Sequence, residues 1–263
     1  MDLALYAKRR RALEFARAAA ELNLPYVLDV SDEAFDKSPY IHAVELEQDL
    51  PFPPAALVFP KAPPEGLYKY IYIADLLGVE AIVLPPPNGL EELAKLYDEA
   101  RQYDIYIQWA YGEPPLAKPS DVEAIAEKIR PRAAKIAYDV VKAKSMHEIL
   151  HDIVRMQGYI ATIYLSNKRG SRSPRLPPFD PSGAINYVDV VQAVLLLRWD
   201  GRYVFRVSPQ YLGGLKAQIS IFNEVVETFR NTGKASKKVQ RMLARVFDEI
   251  FAESGITEDK SNP

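Results

Sequence analysis

KIAYDVVK (135–142), YIATIYLSNKRG (159–170) and YVFRVS (203–208) are three short apolar runs that each pass into polar residues. Between them lie MHEILHDIVRM (146–156) and VDVVQAVLLL (188–197), whose apolar residues recur at helical spacing. Strand, loop and helix in strict alternation imply a parallel sheet, because a helix must carry the chain back before the next strand can start in the same direction. In barrels built from such units, functional side chains stand where each strand runs into its loop. Asp139, Lys142, Tyr164, Asn167 and Arg206 occupy those positions here, so they are expected to face a common mouth.

Working outward, the same rhythm fills the chain. Short apolar, β-branched or aromatic runs fall at 2–6, 24–30, 55–59, 81–84, 105–109, 135–139, 159–165 and 203–207, eight in all. Stretches of helical period separate most of them, at 9–22, 67–77, 90–102, 121–129, 146–156, 188–197 and 215–230. AIVL (81–84) and YIATIYL (159–165) are apolar on both faces, as buried parallel strands should be. Eight such units predict an α/β fold, a single (β/α)8 or TIM barrel, and 263 residues suit the usual length of about 250. The unit after Val30 is irregular: SDEAFDKSPYIHAVELEQDLPFPP (31–54) holds fragments of helical pattern and reads as a loop with a short helix. An extra C-terminal amphipathic helix is expected at 236–251, after the break NTGKAS. Residues 1–252 then form the barrel with that helix, and 253–263 a polar, flexible tail.

Composition narrows the function classes. Apolar residues make up 48% and charged ones 26%, with a net charge of −2, so neither a disordered chain nor a global nucleic-acid signature is present. Any basic surface must be local. Cysteine is absent, which excludes disulfides, thiolate metal sites and a cysteine nucleophile, and points to a cytoplasmic protein. The amino terminus, MDLALYAKRRRALEF, places its charges after a short apolar run, the reverse of a signal peptide. No segment approaches the roughly 18 uncharged apolar residues of a membrane span. The 21 prolines and the lack of cysteine fit a thermophilic source.

The order of segments resembles the xylose isomerase-like TIM barrel superfamily of sugar isomerases, ketose epimerases and metal-dependent apurinic endonucleases. The likeness runs from RALEFARAAAELNLPYVLDV to YVFRVS and is best in FDPSGAINYVDVVQAVLLLRWDGRYVFRV; IADLLGVEAIVLPPP follows the family's leucine-glycine step into a strand. The resemblance implies divalent metal held by carboxylates and histidines at the strand ends, and that pattern is almost erased here. Gln108 or Trp109 stands for the fifth-strand glutamate, depending on register, and the sixth-strand Asp-x-x-His becomes Asp139-Val-Val-Lys142. Tyr164 and Asn167 replace the seventh-strand histidine and aspartate, Arg206 the last-strand glutamate, and Phe59 or Pro60 and Pro85 the histidines of strands three and four. No metal and no other cofactor is therefore expected at this mouth, since hard cations need several oxygen or imidazole ligands.

Lys142 and Arg206 turn a cation site into an anion site, because both side chains only donate hydrogen bonds. The loop SNKRGSRSPRLPP adds Lys168, Arg169, Arg172 and Arg175 with no acid among them, and Gly170 and serines that supply further donors. Trp109, Tyr111, Tyr164 and Tyr211 lie near strand ends and can stack on a base or sugar ring. The expected partner is an anionic small molecule, such as a sugar phosphate, or a nucleic-acid backbone. Alternatives stay open. Arg206 and Asp139 can form a structural ion pair in a non-catalytic scaffold. Or the barrel is a sugar-phosphate isomerase, epimerase or lyase, with Lys142 as acid/base or Schiff-base amine and Asp139 and Tyr164 as proton-transfer partners.

Four further features carry less. His147, Glu148 and His151 spell HEILH, the zinc-helix pattern, but Asp152 follows it and the helix belongs to the outer ring, so the histidines are expected to flank a packing face. His42 reads as structural, and Gly213–Gly214 as a weak anion-site signal. The terminal helix carries Val239, Met242, Leu243, Val246, Phe247 and Ile250 at helical spacing, with Lys237, Lys238, Arg241 and Arg245 on a basic flank. Packing on the barrel is its expected role; Gln240, Leu243 and Phe247 partly resemble a sliding-clamp binding box, which leaves a protein partner open there.

Overall fold

The structure, a computed structural model, describes residues 2–62, 64–86, 93–112, 114–129, 134–170 and 174–253. Eight parallel strands close into a barrel in sequence order: β1 (Asp2–Lys8), β2 (Tyr26–Asp29), β3 (Ala56–Val58), β4 (Ala81–Leu84), β5 (Tyr106–Ala110), β6 (Ile136–Asp139), β7 (Ile160–Leu165) and β8 (Arg202–Phe205). The ring is sealed by β1 and β8, with Asp2 opposite Arg202 and Leu5 opposite Phe205. Around it stand α1 (Ala12–Glu21), α2 (Pro39–Gln48), α3 (Pro64–Leu76), α4 (Leu93–Gln102), α5 (Pro119–Ile129), α6 (Met146–Met156), α7 (Tyr187–Leu196), α8 (Leu215–Thr232) and α9 (Lys237–Glu253). Every strand expected from the sequence is present. The irregular segment 31–54 contains the short helix α2, which starts at Ser38 with Oγ accepting from the Ile41 amide and Pro39 in the first turn.

Alternation along each strand divides two cores. Ala4, Tyr6, Val27, Ala56, Ala81, Val83, Ala137, Tyr164 and Val204 point to the barrel axis, with Val58 and Ala110 beside them. The alternate residues, among them Leu5, Leu28, Leu57, Ile82, Trp109, Tyr138, Ile163 and Phe205, face outward and pack on the helices. The axis core is built mostly from small residues, so two large ones, Tyr6 and Tyr164, fill its centre; their rings meet edge to face with centroids 5.5 Å apart.

The terminal helix does pack on the barrel. Val239, Leu243 and Val246 of α9 are buried against Leu150 and Val154 of α6 and Ala193 of α7. Leu243 is thus a core residue, and Gln240 Nε2 is bound to the Ala235 carbonyl at 2.7 Å, so two of the three residues resembling a clamp-binding box are already committed within the chain. Glu253, assigned to the tail from the sequence, is the last helical residue of α9; residues 254–263 lie outside the described residues. No helix among the described residues is long and apolar enough to cross a membrane.

Candidate functional site

The mouth is organised by Asp139, the last residue of β6 and almost fully buried. Two arginines converge on it. Arg175 forks both of its terminal nitrogens onto the carboxylate, Nη1 to Oδ1 at 3.1 Å and Nη2 to Oδ2 at 2.7 Å, and Nη1 also reaches Ser166 Oγ at 2.7 Å. Arg206, just past β8, donates from Nη1 to Oδ2 at 3.0 Å. Its guanidinium lies over the Tyr6 ring, 4.2 Å from the centroid, and 5.7 Å from that of Tyr164. Burial alone would lower the pKa of Arg206, but Tyr6, Asp139, Tyr164 and Asp29 outweigh it and hold the side chain more firmly protonated.

Local structure explains how a loop residue reaches a strand end. Asn167 and Leu176 exchange backbone hydrogen bonds of 2.9 and 2.8 Å in an antiparallel bridge, and the Ser208 amide donates to the Arg175 carbonyl at 3.0 Å. The β7–α7 loop is thereby folded back so that Arg175 stands over β6. Asn167 pins the fold-back: its Nδ2 donates to the carbonyls of Pro178 and Ile185, and its Oδ1 accepts from the amides of Lys168 and Ile185. Gly183 packs directly on this side chain, in a space a Cβ would occupy only by displacing the Asn167 amide. Asn167 therefore has no donor left for a ligand.

The other expected site residues scatter. Gln108 turns inward beside Ala110, opposite Val83, so the register at β5 is settled in its favour; it is buried and its Oε1 has no partner among the described residues. Trp109 points the other way and is buried, with Nε1 donating to the Tyr97 hydroxyl at 2.7 Å. Tyr111 likewise faces outward, to Asp152, and Tyr211 packs on the outer core, so none of these three rings stands at the axis. Just past β3, Phe59 also turns outward and stacks on Tyr70 with centroids 4.2 Å apart.

Lys142 ends a 3₁₀ turn, Val140–Lys142, and is exposed; its stem lies across Gly112, where a Cβ would come within 2.6 Å of Cδ. Asp139 and Tyr164, by contrast, are buried. Tyr164 Oη is without a partner among the described residues, and burial pushes its pKa up, with Arg206 opposing. Asp139, Tyr164 and Arg206 thus share the mouth's interior, while Lys142 is exposed. Lys168 Nζ binds the Val141 carbonyl and Arg169 Nε binds Ser182 Oγ at 2.7 Å, so both serve to tie the loop down. Arg172 lies outside the described residues.

Two residues of the mouth escaped the sequence reading. Asp29, at the end of β2, is buried and accepts from the Tyr6 hydroxyl at 2.5 Å and from the Ser31 amide at 2.9 Å. Burial raises its pKa, but the bonds from Ser31 and Tyr6 and the charge of Lys8, 3.5 Å away, bring it below the usual carboxylate range. Asp29 obeys the same strand-end rule that singled out Asp139, so its position was readable. Tyr6 gave no such signal, since within a strand it reads as core. Gly213 lines a groove of about 1140 Å³ with Arg9, Arg10 and Arg17, but Glu21, Glu33 and Asp49 balance those arginines.

A divalent cation of the kind the resemblance implies does not suit these residues. Asp139 faces two guanidiniums, Arg206 sits between it and the Tyr6–Asp29 pair, and among the described residues no three acidic or imidazole groups surround one point.

No known protein family's sequence profile matches the chain, and no curated protein matches it in sequence. Solved structures do match in fold. A xylose isomerase domain protein from Planctomyces limnophilus superposes with a TM-score of 0.62 at 9% identity, over 87% of this chain and 96% of the other. The TTHB071 protein from Thermus thermophilus, soaked with zinc chloride, gives 0.62 at 15% over 87% and 99%. A xylose isomerase-like TIM barrel protein from Mycobacterium smegmatis, in complex with magnesium, gives 0.58 at 13% over 85% and 96%. The fold is that of the xylose isomerase-like barrels.

Proposed function

We propose that this barrel binds an anionic ligand, a phosphorylated sugar or a similar small hydroxylated anion, at a mouth that works without a divalent metal. The observation that carries this reading is the state of Arg206. Its guanidinium has five N–H donors, and among the described residues one of them is spent, on Asp139. A cation fixed by a carboxylate on one edge and an aromatic face on the other, with the rest of its fork unspent, is preorganised for a carboxylate or phosphate oxygen. Asp139 is shared by two arginines, so its charge offsets one of them, while Asp29 on the far side of Arg206 is paired with Lys8 at 3.5 Å. Isomerase and epimerase neighbours in the fold support a sugar-derived ligand, among them a sugar phosphate isomerase/epimerase from Parabacteroides distasonis with a TM-score of 0.52 at 12% identity.

Schiff-base or acid/base work by Lys142, Asp139 and Tyr164 has less support. Asp139 is held between guanidiniums, Tyr164 is made a poorer acid by burial, and Lys142 is exposed while both of those are buried. Calorimetric titration with inorganic phosphate and with aldose and ketose phosphates tests the reading. Saturable binding is expected, weakened at least tenfold in Arg206→Met, which keeps the apolar stem and loses the charge. Absence of saturable binding to any of these anions at low salt would refute it.

A further inference from the structure

The HEILH helix gains two neighbours that no reading of its own sequence supplies. On α6, His147 and His151 stand one turn apart with nearly parallel rings, centroids 6.4 Å apart and planes at 25°. On α9, Glu249 and Glu253 repeat that spacing, and the two helices run side by side so that the pairs meet in register. His147 Nε2 is 2.6 Å from Glu249 Oε2, and His151 Nε2 is 3.8 Å from Glu253 Oε1. The second oxygen of each glutamate is engaged by an arginine: Glu249 Oε1 accepts from Arg245 Nε at 3.0 Å and Glu253 Oε2 from Arg155 Nη1 at 3.1 Å. Each carboxylate is therefore oriented with one oxygen held outward and one turned toward an imidazole.

We propose that His147, His151, Glu249 and Glu253 bind one zinc-class divalent cation, which pins α9 to the barrel wall. Two imidazoles and two carboxylate oxygens are a donor set typical of zinc, and imidazoles four residues apart on one helix can reach a common ion. The arginines play the part that outer hydrogen-bond partners play around metal sites, fixing which oxygen faces the ion. As they stand, the four groups are closed into two His–Glu pairs and do not yet surround one point, in keeping with the described residues showing no ready-made cluster. Binding therefore requires both rings to turn from their glutamates toward a shared ion, which the 47% exposure of His147 and the 3.8 Å His151–Glu253 contact leave room for. The site is structural and not hydrolytic. Glu148, the general base of the zinc-helix pattern, instead accepts from the Lys144 amide at 2.8 Å, closing the start of α6.

The test uses the full chain, stripped with chelator and titrated with zinc chloride, and the double variant His147→Ala/His151→Ala beside Glu249→Gln. One-to-one saturable binding is expected in the parent chain, with loss of at least tenfold in affinity in each variant and slower amide exchange along α9 when zinc is present. Cobalt(II) should give the intense visible bands of a four-coordinate site in the parent chain alone. No saturable zinc binding, or binding that survives unchanged in the double-histidine variant, would overturn the proposal. Circular dichroism of both variants separates loss of ligands from loss of fold.

Discussion

Asp139 is the residue on which the mouth depends. Asp139→Asn removes the carboxylate that Arg175 and Arg206 share, and breaking a buried ion cluster from one side is far more costly than never having built it. Both arginines keep part of their surface in water, 31% and 23% of the side chain, which screens their charges. A loss of about 2 kcal/mol is expected from urea unfolding; a variant as stable as the parent would show that the cluster does not hold the mouth together. Asp152 behaves in the opposite sense. Burial raises its pKa to about 6, against hydrogen bonds from Tyr138 and Tyr111, with Glu148 adding to the rise. A raised acid favours the folded state fully below its unfolded value near 3.8, and that contribution fades as pH climbs through about 6. Asp152→Asn should therefore gain on the parent chain between pH 4 and pH 7, by about 2 kcal/mol. Equal pH slopes in the two chains would sink this assignment. Asp139 and Arg206 were legible in the sequence because strand-end position is fixed by alternation. The commitments of Asn167 and Arg175 were not, since a folded-back loop is set by contacts that local pattern does not encode.

At the scale of elements, the period of apolar residues was enough to place all eight strands and nearly all the helices, because each strand must bury both faces and each helix one. The one weak element, α2, shows why this works elsewhere. Its buried residues, His42, Ala43 and Leu46, are few and one is polar, so the stripe that marks a barrel helix is faint. His42 takes the Lys37 amide at 2.9 Å and stands against Phe35 in the core, the structural role expected of it. The same logic gives α9 its hold: truncating Leu243, buried between α6 and α7, should cost about 2–4 kcal/mol in chemical denaturation. A cost under about 1 kcal/mol would mean that α9 rests on the barrel without sharing its core.

For the whole molecule, a net charge of −2 is compatible with two arginines converging at one strand end, because charge can be distributed unevenly over a barrel. Anion binding at the mouth should then weaken as salt is raised, by a factor that grows when Arg206 is intact and shrinks in Arg206→Met. Binding that is indifferent to salt, compared at about 0.05 and 0.5 M, would place the ligand away from the arginines.

Arg206, lying between Tyr6 and Asp139, makes its positive charge part of the polypeptide. Only loss of a proton could remove such a charge, and its neighbours shift that equilibrium further away. It cannot be stripped by a chelator, exchanged for a competing ion, or depleted when metal is scarce, and it is in place as soon as β8 joins β1. The occupancy of this centre is therefore decided by folding and not by supply, and the conditions under which the mouth is charged are the conditions under which the barrel is closed.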